Sequence, residues 1–469
     1  MKLKKILLFA IGPVGGAILS FISLPIITWF FSQEDVGKMA MLQVTLSFTP
    51  LLFCLGLDHA YIREFHEASN KPMLLKAIIL PGVLTLSTAI SISLLFDGLI
   101  SHILFDIKSE YLSFLIAIAV FSVLLTRLLS LVLRMNERGL AFSMSQVLPK
   151  LLFLLIIGLY IEFNLDKSID NLVSAHVVSV ILVTLLLLWN TRDELLLSVK
   201  QKVDFEKLKE MFSYGIPLIL SGIAFWGLTA TDKIALRLLS NYEQLGLYSV
   251  SASFAGAAMV LQSVFATVWS PIVYKWSQQG IAKENVSTVT RYVLCVVCLL
   301  FCLTGLFSWL VPYILPDKYK QVEWIVLACM GYPLLYTLSE ATYIGIGIAR
   351  RSSLAMLAAL FALVINVIGN VILIPSLGAK GAAISTMVSF FVLLILRTEF
   401  SCYVWMSIKR WEIYIFTSLF TISSILSTLI GEEHPTLIRG LWLVLTVLSL
   451  FNFKSYVSLA KIRGLKIAR

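Results

Sequence analysis

Long apolar runs alternate with short polar turns along the whole chain. Runs of about 20 residues, the length that crosses a hydrocarbon core of roughly 30 Å, recur at 6–31, 38–57, 74–96, 111–133, 141–161, 171–189, 212–239, 246–274, 289–312, 322–348, 354–375, 378–405, 412–430 and 437–453. The pattern predicts an all-α polytopic membrane protein with about fourteen transmembrane helices. Fourteen crossings put both termini on one side. The last pair is the weakest part of the reading, because 437–453 is short and begins near Arg439.

The pattern also repeats. The turn Phe31-Ser32-Gln33-Glu34-Asp35-Val36-Gly37 resembles Leu239-Ser240-Asn241-Tyr242-Glu243-Gln244-Leu245-Gly246, and each closes the first span of its half. Gly12-Pro13 opens one such span and Ile216-Pro217 the other, while Arg138 before span five corresponds to Arg351 before span eleven. Six spans per copy is an even number, so both copies insert the same way round, as a parallel repeat. The expected organisation is a six-helix lobe over 1–190, a connector over 191–211, a second six-helix lobe over 212–408, and two extra spans with a basic tail over 409–469. The connector carries mixed charge among leucines and is expected to form a helix on the inner membrane surface.

Composition agrees with the pattern. Of 469 residues, 59% are hydrophobic and 14% charged, and the mean hydropathy is +0.91. A soluble protein of this size could not hide so much apolar surface. The net charge of +10 would suit a nucleic-acid binder, but most lysines and arginines fall in alternate loops and at the termini. That is the positive-inside pattern, which sets orientation and places both termini in the cytoplasm. Met1 to Lys5 followed by an apolar run mimics a signal peptide, yet the run continues to Phe31 without a small-residue cleavage site, so it reads as an uncleaved first span.

Six cysteines lie in apolar segments. Cys295, Cys298 and Cys302 share a helix face, but no histidine or acid accompanies them, which favours small buried residues over a metal site. No G-x-x-x-x-G-K-[ST] loop is present, and the five histidines lack metal-ligand spacing. His59 and His66, near Asp58 and Glu64, form a weak pair at best. No outside loop is large enough for a polymerase or ligase site. The expectation is a non-enzyme with no cofactor and no nucleic-acid partner.

The candidate chemistry lies in ionisable residues inside spans, which are costly and normally face protein or a wet cavity. Lys150 sits near the middle of span five, just after Pro149, whose missing N–H loosens the helix. Arg127 lies in the inner half of span four. Arg397 and Glu399 occupy span twelve, two apart, so they do not face each other; Glu340 in span ten is a partner for either arginine. In span seven, Lys233 and Arg237 share a face and Asp232 points about 100° away. Arg127, Lys150, Lys233 and Arg397 outnumber the acids Asp232, Glu340 and Glu399, which suggests a bound anion. A diphosphate suits them, since guanidinium and ammonium groups make charge-assisted bonds to phosphate oxygens.

These features resemble the Wzx-type polysaccharide and O-antigen flippases of the multidrug/oligosaccharidyl-lipid/polysaccharide exporter superfamily. The likeness runs through most of the chain. It rests on Asp35-Val36-Gly37, then Gly56-Leu57-Asp58 leading to Arg63-Glu64-Phe65, then Tyr214-Gly215-Ile216-Pro217, Thr231-Asp232-Lys233 and Leu245-Gly246-Leu247-Tyr248. Asn366, Asn370 and the stretch Leu373-Ile374-Pro375-Ser376-Leu377-Gly378-Ala379-Lys380-Gly381-Ala382-Ala383 complete it.

The resemblance implies two six-helix lobes around a central cavity, and alternating access. It implies transport of an undecaprenyl-diphosphate-linked oligosaccharide from the inner to the outer leaflet of a bacterial inner membrane. It also implies a basic cavity lining, which Arg127, Lys150, Lys233 and Arg397 would supply. Lys233 stands where many relatives carry arginine, giving a point charge instead of a bidentate fork. The expected partners are the lipid-linked oligosaccharide, membrane lipids and polysaccharide polymerase or assembly proteins. Without an ATP-binding loop the drive must come from ion gradients, membrane potential or product removal, with Asp232 and Glu340 as candidate coupling acids. A cation-coupled small-molecule exporter of the same superfamily is the alternative, though it predicts an acidic cavity; a membrane polymerase or ligase would need a large outside loop.

Overall fold

The structure, a computed structural model, describes residues 3–454, without the side chains of residues 3–7, 9, 10, 221, 267 and 283. The first two residues and the basic C-terminal tail lie outside the described residues. Every ordered element is helical, and no strand occurs among the described residues. Hydrocarbon forces this choice, because it offers no partner for a backbone N–H or C=O and a helix satisfies both internally.

The chain divides into two compact units, Met1–Ala230 and Thr231–Arg469. The first holds α1 (Leu3–Phe30), α2 (Gln33–Phe53), α3 (Leu57–Glu64), α4 (Lys71–Leu94), α5 (Leu99–Phe105), α6 (Glu110–Met135), α7 (Gly139–Glu162), α8 (Ile169–Asn190), α9 (Arg192–Val199) and the start of α10 (Phe205–Leu239). The second continues with α11 (Tyr242–Gln278), α12 (Ala282–Phe307), α13 (Val311–Ile314), α14 (Val322–Cys329), α15 (Gly331–Thr342), α16 (Ile344–Ile348), α17 (Ser352–Leu377), α18 (Ala379–Val404), α19 (Trp411–Ile430) and α20 (Pro435–Asn452). Fourteen helical stretches are long and apolar enough to cross a membrane, the last two among them. The protein is therefore an all-α polytopic membrane protein.

The repeated turns have the same local chemistry. Ser32 caps α2 by accepting the N–H of Asp35 at 3.0 Å, and Asn241 caps α11 by accepting that of Gln244 at 2.9 Å. Each side chain satisfies one of the free donors at a helix start. Ahead of α7 the chain turns through Glu137 at φ 55°, with the Arg138 N–H on the Leu133 carbonyl at 2.9 Å. Ahead of α17 it turns through Arg350 at φ 54°, with the Arg351 N–H on Ile346 at 3.1 Å. Both are six-to-one bonds closing a helix end through one left-handed residue.

Among the boundaries that differ from the sequence expectation, those of spans seven and ten have a local reason. Span seven begins at Phe205, not 212, because Asp204 accepts the N–H groups of Glu206 and Lys207 at 3.0 Å each and caps a helix there. The connector helix therefore shrinks to α9. Lys76 straps that helix down by donating to the carbonyls of Val199 at 2.9 Å and Gln201 at 2.6 Å, leaving Leu196, Leu197 and Val199 exposed. Span ten is broken into α14, α15 and α16. At the first break a Cβ on Gly331 would sit 2.0 Å from Met387 Sδ, so the bare backbone is what lets α15 press against α18.

In the first unit, α2, α6 and α8 bury more than half of their span while α1, α4 and α7 bury under a quarter. The most enclosed stretches of the second unit are Asp317–Thr342 and α18. The final pair belongs to this unit. Trp442 of α20 donates to Ser427 of α19 at 2.9 Å and fills the space left by Gly305 of α12, while Arg439 pairs with Glu323 at 3.0 Å.

If the caps act as argued, Asn241→Ala should cost about 1 kcal/mol, seen as a lower unfolding midpoint in detergent, whereas Asn241→Ser should keep most of it. Equal midpoints for Asn241→Ala and the parent would show the cap is not contributing.

Candidate functional site

Helix α2 stops at Phe53, and the chain then passes through Leu55 at φ 54° and Gly56 at φ 69° before α3 begins. Two consecutive left-handed residues break the span where the sequence pattern predicts a continuous helix to 57. The break is fixed by α10. A Cβ on Gly56 would lie 2.3 Å from the Gly215 carbonyl oxygen, and one on Gly222 would lie 2.6 Å from Leu51 Cδ1. Gly215 and Gly222 are two turns apart on one face, so α10 approaches the broken segment backbone to backbone. Between them remains a cavity of about 310 Å³, lined by Ser47, Pro50, Leu51, Gly56, Asp58, His59, Arg127, Leu218, Ile219 and Gly222.

Arg127 of α6 is one wall of this cavity. Its Nη2 donates to Asp58 Oδ2 at 2.8 Å. The Asp58 side chain is 9% exposed and the Arg127 side chain 43%. Asp58 sits in the first turn of α3, where the helix dipole favours an anion. One of the five guanidinium N–H donors is spent on that bond, and Arg127 keeps its open side on the cavity. The pairing of Arg127 with Asp58, not Glu340, was invisible in sequence because 69 residues separate the two.

Lys150 is exposed on α7, and its Nζ donates to the Gly16 carbonyl of α1 at 2.8 Å. That oxygen also accepts from Ser20 Oγ at 3.0 Å. No carboxylate pairs with Lys150 among the described residues.

In the second unit Asp232 is 1% exposed and surrounded by donors. Tyr248 donates to Oδ2 at 2.7 Å, Asn366 to Oδ1 at 2.9 Å and Asn370 to Oδ1 at 2.8 Å, while Thr386 Oγ1 closes on Oδ2. Helices α10, α11, α17 and α18 each contribute to this cage. Asn366 and Asn370 share a face at i and i+4, and Gly369 lets α18 come close enough for Ser385 to donate to the Asn366 carbonyl at 2.8 Å. The buried Oδ1 of Asn370 has no hydrogen-bond partner. All four donors are neutral, so nothing cationic answers the carboxylate within the cage. Lys233, the next residue, is half-buried and makes no hydrogen bond or ion pair among the described residues.

Arg397 lies in a closed setting. Its guanidinium bonds Glu340 at 2.9 Å and Ser339 at 3.2 Å, with Tyr336 and Tyr343 rings 5.0 and 4.8 Å from Cζ. Both charged side chains are 9% exposed. This is a cation held between two π faces and one carboxylate, joining α15 to α18. Glu399 takes different partners, Arg410 at 2.8 Å and Tyr414 at 2.7 Å. The site residues expected from sequence thus differ in setting: in the first unit Arg127 lines a cavity and Lys150 of α7 bonds to α1, and in the second Asp232 lies in a polar cage and Arg397 with Glu340 in a sealed pair. Sequence reading missed Asp58, Tyr248 and Thr386; the run Gly56-Leu57-Asp58, a glycine just before an acid near a span end, was the available signal.

This architecture is that of the multidrug/oligosaccharidyl-lipid/polysaccharide exporters. The chain superposes on a structure described as lipid II flippase MurJ in an inward closed conformation with a TM-score of 0.68, covering 96% of this chain and 100% of that one at 13% identity. An inward-facing multidrug resistance MATE transporter aligns with a TM-score of 0.58, covering 86% and 96% at 14% identity. At these identities the likeness is one of fold. The sequence profile of the family described as polysaccharide biosynthesis protein matches residues 2–277, more than half of the chain, and the chain belongs to that family. A probable low-salt glycan biosynthesis flippase, Agl15 of Haloferax volcanii, is 22% identical over 204 residues, 43% of each protein.

Glu340→Gln should expose the contrast between these charge sites. It leaves the enclosed Arg397 without its counter-ion and should destabilise the protein by about 3 kcal/mol, measured as thermal unfolding in detergent. Asp58→Asn, beside a half-exposed arginine, should cost under about 1 kcal/mol. Similar losses for both would contradict the assignment of one as sealed and the other as open.

Proposed function

We propose that this protein moves a lipid-linked oligosaccharide from the inner to the outer leaflet of a bacterial inner membrane by alternating access. The cargo in this reading is an undecaprenyl-diphosphate-linked repeat unit of O-antigen or a related surface polysaccharide, handed outside to a glycan polymerase or other assembly protein. The observation that carries it is Arg127: a half-exposed guanidinium within a membrane span, walling a cavity large enough for a diphosphate. Family membership and the name of the Haloferax volcanii relative support the class of cargo. Two six-span lobes with cytoplasmic termini, as the charge pattern suggests, complete the proposal.

The residues divide the work. Arg127 grips the diphosphate through charge-assisted bonds. Lys150, with two N–H donors to spare, adds positive charge in the first unit, and Lys233, half-buried beside Asp232, is a further cation in the second. Arg397 instead holds α15 on α18 through Glu340, which acts here as a pairing acid. Asp232 is the coupling group: its carboxylate and the free Asn370 Oδ1 form an acceptor pair for a proton or an alkali cation, whose arrival would neutralise a charge otherwise answered only by dipoles.

Deletion of the gene should leave lipid-linked repeat units on the inner leaflet and strip the surface glycan, and Arg127→Ala should not restore it while Arg127→Lys restores it partly. Full surface glycan in the Arg127→Ala strain would remove the central residue from the mechanism. In proteoliposomes, Asp232→Asn should abolish the response of transport to an imposed ion gradient; gradient-dependent transport persisting in that variant rules out Asp232 as the coupling group.

A further inference from the structure

We infer that Asp58 is a stand-in anion that sets a charge threshold at Arg127, admitting diphosphate-linked lipids and rejecting lipids with a single phosphate. This rests on the reading of Arg127 as the diphosphate contact.

Two of the arginine–carboxylate pairs within the described spans are built differently. Arg397 and Glu340 are equally enclosed, at 9% exposure each, and two tyrosine rings cover the guanidinium. That arrangement leaves no approach for a third group. The Arg127–Asp58 pair is lopsided: the acid is 9% exposed, the base 43%, and the base opens on a cavity that also touches the acid. A single Nη2–Oδ2 bond of 2.8 Å joins them, not the two-bond fork that an arginine and a carboxylate can form. An arginine held this way is oriented but not saturated.

An anion entering the cavity meets Arg127 on its free side and Asp58 on the wall beside it. The attraction of the first is opposed by the repulsion of the second. A monophosphate diester brings one negative charge, which the carboxylate already supplies, so its gain over the resting pair is small. A diphosphate brings more charge and more acceptor oxygens, and can use the remaining guanidinium donors together with the exposed His59 ring on the same wall. Bulk phospholipids carry one phosphate linkage and surround the protein in excess, so a site lacking this opposition would fill with them. The same opposition keeps the cargo from binding too tightly to leave, a balance that any conducting site must strike.

The test uses the full-length protein in detergent with farnesyl diphosphate and a short-chain phosphatidylglycerol, a monophosphate diester of one negative charge, as probes, with unfolding midpoints recorded for each variant. The parent should prefer the diphosphate. Asp58→Asn should bind both probes about tenfold tighter, the scale of one charge-assisted contact, lifting the monophosphate over the threshold that the parent sets; Asp58→Ser should do the same if the amide folds poorly. Asp58→Glu should retain the preference. Export by Asp58→Asn at saturating substrate should slow while apparent affinity rises, a split that loss of structure alone would not produce. If Arg127→Ala loses both probes while Asp58→Asn and Asp58→Ser bind both as the parent does or more weakly, Asp58 only positions Arg127 and the inference fails by itself. If Arg127→Ala binds both probes as the parent does, the diphosphate reading fails first.

Discussion

A charge placed in hydrocarbon has to be answered by the protein, and the structure is arranged around how each charge is answered. Arg397 receives a carboxylate and two aromatic faces; Asp232 receives four neutral donors; Arg127 receives a single bond from Asp58 and an open cavity. The answers range from closed to incomplete. Closed sites hold helices together, since removing either partner strands the other. Incomplete sites keep binding capacity in reserve, and that is where a cargo or a coupling ion can act.

Incomplete sites in turn need backbone geometry that a regular helix cannot supply. Arg127 faces a cavity only because α2 breaks at Leu55 and Gly56, and the break persists because Gly215 and Gly222 bring α10 within contact of it. Irregular backbone at membrane depth is tolerated where it is buried in protein or lines a cavity, and here it does both. The Asp232 cage uses the same device at Gly369, whose missing side chain brings α17 and α18 close enough for two asparagines and a threonine to reach one carboxylate.

The two units repeat a plan in their turns more than in their sites. Capped starts at Ser32 and Asn241, and left-handed stops at Glu137 and Arg350, recur at matching places. The arginine that lines a cavity belongs to the first unit and the buried acid cage to the second. Duplication supplies a scaffold of spans, and chemistry then diverges wherever a few side chains differ.

The spans, their number, the charge bias of the loops and the repeated turns were legible in the amino-acid sequence, because hydrophobic length and helix capping are local properties. So were the ionisable residues within spans, which stand out by type alone. Of their partners only Glu340 was, named for either arginine and found on Arg397. Asp58 with Arg127, and Asp232 with Tyr248, Asn366, Asn370 and Thr386, meet across separations from 16 to 154 residues. Span periodicity says nothing about which faces of two helices will touch. The tertiary structure alone decided that Arg397 is sealed and Arg127 open, since exposure depends on how closely neighbouring backbones approach, and that was set here by single glycines.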